Sequence, residues 1–175
     1  TLMGIGACDT TEPLSLQMLG MHGTPAANYA VEDCDFLIAV GSRFDDRVAA
    51  VPEKFAPRAK KIAHFDVDPC EIGKVKAVQW HNVGVLDRDL RQLVAWADRH
   101  KVNTDFGEWH RELAALKKTY AMNYDRESPL IQPNYVIEEI NRHTRGEAII
   151  TTGVGQHQMW SAQYFDFRSP RLWLT

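Results

Sequence analysis

The sequence predicts an α/β fold built on a mostly parallel sheet, and three observations carry that expectation. Two short apolar runs, residues 35–40 and 61–67, stop at Gly41 and at Asp68-Pro69. Runs of that length, bounded by turn residues, read as strands. Segments of helical period lie before and after them, and strands that alternate with helices form parallel layers. The balance is globular as well: 45% of the 175 residues are hydrophobic and 25% charged, well away from the signature of disorder.

Each element follows from its own pattern. Ala26, Ala27, Ala30 and Val31 recur at helical spacing, so a short helix is expected between Gly23 and Asp33. The two apolar runs are then expected as strands buried on both faces, and residues 78–85 as a third strand. From Leu86, the residues Leu90, Leu93, Val94 and Ala97 fall on one stripe of an amphipathic helix reaching about His100. Residues 102–105 form a natural N-cap cluster. Beyond them Phe106, Trp109, Leu113, Leu116 and Tyr120 repeat at three and four, predicting a helix that ends near Ala121.

Residues 122–132 carry mixed charge and Pro129 without any period, the pattern of an interdomain linker. Pro133 stands where the first helical position favours proline, Val136, Ile137 and Ile140 give that helix its apolar face, and Gly146 ends it. Residues 148–152 follow as a strand, 153–155 as a turn, and 156–163 as the next helix. The expected organisation is therefore an α/β domain over 1–121, incomplete at its N-terminus, a linker over 122–132, and the first helix-strand-helix unit of a second α/β domain over 133–175. Some forty residues are too few for a core of their own, so the chain is expected to be part of a longer protein.

Several function classes start with little support. Twenty Lys and Arg against 23 Asp and Glu give a net charge of −3, so there is no basic field to bind nucleic acid. No apolar run approaches the roughly 18 residues needed to cross a bilayer, and no secretory pattern opens the chain. Cys8, Cys34 and Cys70 form an odd set without C-x-x-C spacing, which argues against a disulfide framework and against a zinc site. No metal ligands are expected here.

In open α/β sheets ligands bind beyond the carboxyl ends of the strands, and three places qualify. Gly41-Ser42-Arg43-Phe44-Asp45-Asp46-Arg47 follows the first strand; its glycine admits close backbone approach, and its arginines can hold phosphate or carboxylate oxygens. A solvated loop with internal Arg–Asp pairs is the alternative reading. Asp66 and Asp68 close the second strand, where an acid can accept hydrogen bonds from ribose hydroxyls. Asp68, directly before Pro69, is equally placed to cap a short turn, which leaves Asp66 as the better candidate. Gly153-Val154-Gly155-Gln156-His157 joins a strand to a helix N-terminus, where free amides and the helix dipole favour an anion. The full G-x-G-x-x-G is absent there, and Gly4-Ile5-Gly6 is no closer to it. His22 lies in a glycine-flanked loop without a second ligand at metal spacing.

Taken together, Thr1-Leu2-Met3-Gly4, Leu19-Gly20-Met21-His22-Gly23-Thr24 and Gly41-Ser42-Arg43-Phe44-Asp45-Asp46-Arg47-Val48 strongly resemble the catalytic large subunit of the acetolactate (acetohydroxyacid) synthases. Gly153-Val154-Gly155-Gln156-His157-Gln158-Met159-Trp160 and Arg171-Leu172-Trp173-Leu174-Thr175 resemble the opening of the thiamine-diphosphate domain of that family. The resemblance implies that residues 1–121 are most of a Rossmann-like middle domain that binds FAD. Position by position it implies contacts to the flavin nucleotide from Leu2, Met3, Leu19, Gly20, Met21, His22, Gly41, Arg43, Asp45, Asp46, Arg47, Val48, Asp66, Val67 and Glu71. Gly155, Gln156 and His157 fall at the thiamine diphosphate, with Met159 close to both cofactors.

The chemistry implied is decarboxylation of pyruvate and carboligation to a second 2-keto acid, such as 2-ketobutyrate, on the way to branched-chain amino acids. A dimer-based homo-oligomer, a regulatory small subunit, and a bacterial cytoplasm or plastid stroma follow from the same resemblance. The family's activating glutamate and its Gly-Asp-Gly…Asn magnesium motif fall outside these residues, so no catalytic residue and no Mg²⁺ ligand is expected among them. Gly84-Val85-Leu86 replaces the usual Gly-Asp-Val near the adenine. Two alternatives remain: another FAD-containing carboligase, such as glyoxylate carboligase, and a nucleotide-binding module without catalysis.

Overall fold

A computed structural model describes all residues, 1–175, and the chain packs as two compact units, Tyr29–Arg111 on the one hand and Thr1–Asn28 with Glu112–Thr175 on the other. That grouping is one of packing and differs from the division 1–121, 122–132 and 133–175 expected along the chain.

The unit of residues 29–111 is built on a three-stranded parallel sheet in the order β1 (Phe36–Val40), β2 (Lys61–Asp66), β3 (Trp80–Val83). Phe36 pairs with Lys61 and Val40 with Phe65, while Ala63 pairs with Trp80 and Asp66 with Val83. Beneath one face, Ala39 and Ile62 meet Phe44 and Ala49, and half-buried Leu37, Phe55, Ala59, Val75 and Val78 complete the core. β2 is the central strand and is buried from Ile62 to Asp66. β1 departs from the expectation of burial on both faces, because Phe36, Ile38 and Val40 are 50%, 49% and 44% exposed. The side-chain period of a strand is two, and only the Leu37 and Ala39 face of this edge strand meets the core.

The third strand is shorter than the expected 78–85. At its start the Ile62 amide donates to the Gln79 Oε1 side chain (2.7 Å), so a side chain takes the place of a ladder bond. Helix α2 (Leu86–Arg99) covers the predicted span, yet its apolar stripe is buried only in part: Leu86 and Leu90 are half-buried, Leu93 and Val94 exposed. Asp89 fastens this helix to the sheet, accepting from Asn82 Nδ2 of β3 (2.6 Å) and from Arg88 Nε (2.7 Å).

Helix α1 (Pro25–Asp33) and helix α3 (Gly107–Thr119) both occur where their periodicity placed them, and Thr24 Oγ1 caps the former by accepting the Ala27 amide at 3.1 Å. The other unit contains α4 (Pro133–Thr144), α5 (Gln156–Tyr164) and a two-stranded parallel sheet of β4 (Ile150–Thr151) with β5 (Trp173–Leu174). Its core is Met18, Ala162, Phe165, Phe167 and Trp173, against which Leu2, Ile137, Ile150 and Met159 also pack. Phe167 is fully buried, and its amide donates to Thr10 Oγ1 at 2.8 Å, while the Thr10 amide donates back to its carbonyl at 3.1 Å. α4 begins at Pro133 as expected and closes through Arg145 in the left-handed region and Gly146. Residues 122–132 carry no helix or strand, but Tyr124 Oη donates to Glu138 Oε2 (2.6 Å) and Arg126 pairs with the same carboxylate. Burial first, and then the Glu138 carboxylate, push the Tyr124 hydroxyl up to about 12.

Arg88 beside Asp89, Arg91 beside Asp87 and Arg142 beside Glu139 hold those carboxyls below their ordinary values. Folding weakens proton binding at each, so the stabilisation is complete above the unfolded values and is lost as pH falls through the lower folded ones. Thermal melting is therefore expected to be flat near neutrality and to fall below about pH 4. Asp89→Asn should flatten that acid limb in a series of melts; an unchanged limb would show that Asp89 contributes nothing to it.

Candidate functional site

The carboxyl ends of the three strands in the 29–111 unit gather one group of candidates. Gly41, the first residue after β1, has φ +59°, and its amide donates to the Phe65 carbonyl of β2 at 2.8 Å. A Cβ here would lie 3.1 Å from Leu86 Cδ1 at the start of α2, so the site keeps bare backbone at the strand end. Phe44 is buried with φ +54°, a conformation that costs a non-glycine residue about 1 kcal/mol or more. Packing supports it: the Phe44 ring meets Phe55 and His64 edge-on at 5.7 and 5.2 Å. The buried ring turns the chain outward, and the next residues form a tight loop in which Asp45 Oδ1 accepts the amides of Arg47 (3.1 Å) and Val48 (3.2 Å).

Both arginines of this loop stay open to solvent. Arg43 lies 3.7 Å from Asp45, and Arg47 lies 4.0 Å from Asp46. Exposed pairs at such distances are worth about 0–1 kcal/mol, so either guanidinium can turn to an anionic ligand at little cost. The loop thus combines the two readings the sequence allows: the Arg–Asp pairs exist, and they are weak.

At the end of β2 Asp66 is only 7% exposed. Its Oδ1 accepts the Asp68 amide at 2.9 Å, and its Oδ2 lies 3.6 Å from His64 Nε2. Val67 is exposed, and Glu71 sits in the 3-10 turn Pro69–Glu71 with its carboxylate on Lys74 Nζ at 2.8 Å. Asp68 caps that turn by accepting the Cys70 amide at 2.8 Å, the structural role its place before Pro69 predicts. At the end of β3 the Gly84 amide donates to the Asp66 carbonyl at 2.9 Å. Gly41, Asp66 and Gly84 therefore stand side by side.

The remaining candidates belong to the other unit. Leu2 and Met3 lie in the 3-10 turn Leu2–Gly4, with Leu2 against the core and Met3 exposed. Residues 18–24 form a tight turn closed by Gly23 N to Gly20 O and Thr24 N to Met18 O, both 2.9 Å. Asn28 clasps Gly20 at both its amide (2.9 Å) and its carbonyl (3.0 Å). The turn anchors buried Met18 and leaves Met21 and His22 exposed and Leu19 half-buried. From α5, Gln163 Nε2 donates to the His22 carbonyl at 2.8 Å, which links this loop to the helix that starts at Gln156.

Gly155 precedes that helix with φ +157°, and no side chain caps it. The first-turn amides of a helix lack partners within the helix, and Gln156 and His157 expose their side chains beside them. Met159 turns inward against the core. Gln158, which sequence reasoning assigned no role, is buried and donates through Nε2 to Thr175 Oγ1, while Thr152 Oγ1 donates to the same hydroxyl at 2.9 Å. It ties the start of α5 to the ends of β4 and β5. Its neighbours Gln156 and His157 are polar as well, so nothing in the sequence singled it out. No group of three or more His, Cys, Asp or Glu stands in position to hold a metal ion.

Comparison with known proteins adds two findings. The family model described as the thiamine pyrophosphate enzyme central domain matches residues 1–93. All of the chain aligns with curated proteins: acetolactate synthase 1, chloroplastic, of Zea mays at 48% identity, acetolactate synthase 2, chloroplastic, of Nicotiana tabacum at 48%, and acetolactate synthase, chloroplastic, of Arabidopsis thaliana at 45%. The chain spans 28%, 26% and 26% of those proteins respectively.

Proposed function

Because the chain belongs to the thiamine pyrophosphate enzyme central-domain family, we propose that it is the flavin-nucleotide side of an acetolactate synthase and carries one edge of the thiamine-diphosphate site. The observation that supports this reading best is the 45–49% identity to acetolactate synthases that runs through all 175 residues. In this reading residues 1–121 belong to the middle domain, 122–132 to a linker and 133–175 to the thiamine-diphosphate domain. The whole protein acts on pyruvate and a second 2-keto acid such as 2-ketobutyrate, as a dimer-based assembly with a regulatory subunit. The chloroplastic names of the relatives favour a plastid stroma, with a bacterial cytoplasm as the alternative. No helix is long and apolar enough to cross a membrane.

The residues present fit both cofactors. At the sheet, bare backbone at Gly41 and the buried Asp66, whose Oδ2 accepts no hydrogen bond within the chain, suit a nucleotide. Asp66 accepts from ribose hydroxyls, and Arg43 and Arg47 neutralise anionic oxygens of the nucleotide or the keto acid. Asp45, Asp46 and Val48 shape the loop that presents those arginines, while Val67 and Glu71 flank Asp66. In the other unit the exposed Met3, Met21 and His22 and the half-buried Leu2 and Leu19, on a turn that Asn28 holds at Gly20, offer surface that suits a flavin ring.

At α5, Gly155 leaves room for the amides of Gln156 and His157 to face a diphosphate at a helix N-terminus, and Met159 closes the apolar side. Thiamine diphosphate supplies the carbanion chemistry that decarboxylation and carboligation require. Mg²⁺ is held by residues outside this chain.

The test is an assay of the whole protein with pyruvate, thiamine diphosphate, Mg²⁺ and FAD. Acetolactate is expected from the whole protein and none from the 175-residue chain alone. A whole protein without acetolactate overturns the reading, and steady turnover by the isolated chain overturns its status as a part.

A further inference from the structure

His64 stands at the centre of β2 with no exposed surface at all, and neither ring nitrogen has a hydrogen-bond partner. Ile62, His64 and Asp66 share one face of the strand. The register places Ala39 of β1 and His81 of β3 on either side of the ring, and Phe44 closes over it edge-on at 5.2 Å. Ala39, Ile62 and Phe44 form a pocket in which an apolar side chain would pack at lower cost. A buried imidazole without partners needs a reason for being there. Its Nε2 points to the Asp66 carboxylate, 3.6 Å from Oδ2, while Oδ1 of that carboxylate is held by the Asp68 amide at 2.9 Å.

We propose that His64 is a positioning residue: its Nε2–H steadies Asp66 through Oδ2, so that the acid meets the hydroxyls of a bound nucleotide in one orientation. The inference rests on the reading of Asp66 as a nucleotide contact. A carboxylate has about four acceptor positions. Oδ1 is engaged by the Asp68 amide; with Oδ2 engaged by His64 in the proposed arrangement, one position on each oxygen remains for a vicinal pair of hydroxyls. The gap of 3.6 Å closes with a small turn of the Asp66 carboxylate, and supporting groups of this kind fix a ligand-binding side chain from behind.

The test is FAD titration of the whole protein, followed by flavin fluorescence, for the wild type, His64→Phe, His64→Gln and Asp66→Asn. His64→Phe keeps the ring volume without a donor, and His64→Gln restores a donor near the Nε2 position. Loss of one hydrogen bond to a charged group predicts about tenfold weaker FAD binding in His64→Phe, recovery in His64→Gln, and no further loss when His64→Phe is added to Asp66→Asn. Wild-type affinity in His64→Phe, or an equal loss in the Asp66→Asn background, overturns the inference and leaves the cofactor reading standing. A wild-type protein that binds no FAD overturns both. Should His64→Phe fail to fold, the ring-nitrogen NMR shifts of wild-type His64 decide: protonation at Nε2 with a shift that moves on Asp66→Asn supports the role, and protonation at Nδ1 overturns it.

Discussion

Gly23→Ala is expected to be the most damaging single-methyl change in this chain. A Cβ at Gly23 would lie 2.5 Å from the Met18 carbonyl oxygen, 2.6 Å from the Leu19 carbonyl carbon and 2.8 Å from the Gly20 nitrogen. All three are backbone atoms, so no rotamer change relieves the overlap. The turn must open, breaking the bonds from Gly23 to Gly20 and from Thr24 to Met18, and Met18 is part of the core. Overpacking of this kind costs about 3 kcal/mol or more. If Leu19 to His22 contact FAD as proposed, FAD affinity should fall by about tenfold or more with the turn that carries them. Gly153→Ala is the control, since a Cβ there meets nothing within 4 Å. Chemical denaturation of the two variants in the whole protein, followed by tryptophan fluorescence, checks the difference; equal midpoints would refute it.

Gly155→Ala should instead separate function from stability. Its φ of +157° lies in a region nearly reserved for glycine, at a strain of about 1–3 kcal/mol for other residues. The added methyl would also come within 2.9 Å of His157 Cε1 and 3.0 Å of its Nδ1. The His157 ring is exposed and can swing away, so the fold should survive. On the proposed function, its displacement and a tilt of the first amides of α5 should lower kcat/KM of the whole protein by about 100-fold, mostly through weaker retention of thiamine diphosphate. In a His157→Ala background the same change should cost only its backbone part. Activity assays across the four combinations test this, and a full additional loss in that background would assign the effect to the backbone alone.

The elements that could be read from the sequence are those whose cause is local. Gly41 and Asp68-Pro69 stop their strands, Pro133 and Gly146 bracket α4, and Asp68 caps the turn at Pro69. Each depends on backbone conformations or capping groups within a few residues. The strand-end candidates were legible for the same reason, because a parallel strand announces its carboxyl end. β5 was not legible: it is two residues long and exists only because Trp173 and Leu174 pair with Ile150 and Thr151. Phe44 and Gln158 were missed as supports because their roles lie in rings and hydroxyls distant along the chain.

By itself the sequence determined the alternation of strands and helices, their approximate limits, and the strand ends where Gly41 and Asp66 lie, since periodicity and turn chemistry act over short stretches. Only the tertiary structure decided that β1 exposes Phe36, Ile38 and Val40, that residue 10 bonds to residue 167, and that His64 lies wholly buried behind Asp66. Those outcomes depend on which face another segment covers and on hydrogen bonds between positions far apart in sequence, and no local period encodes either.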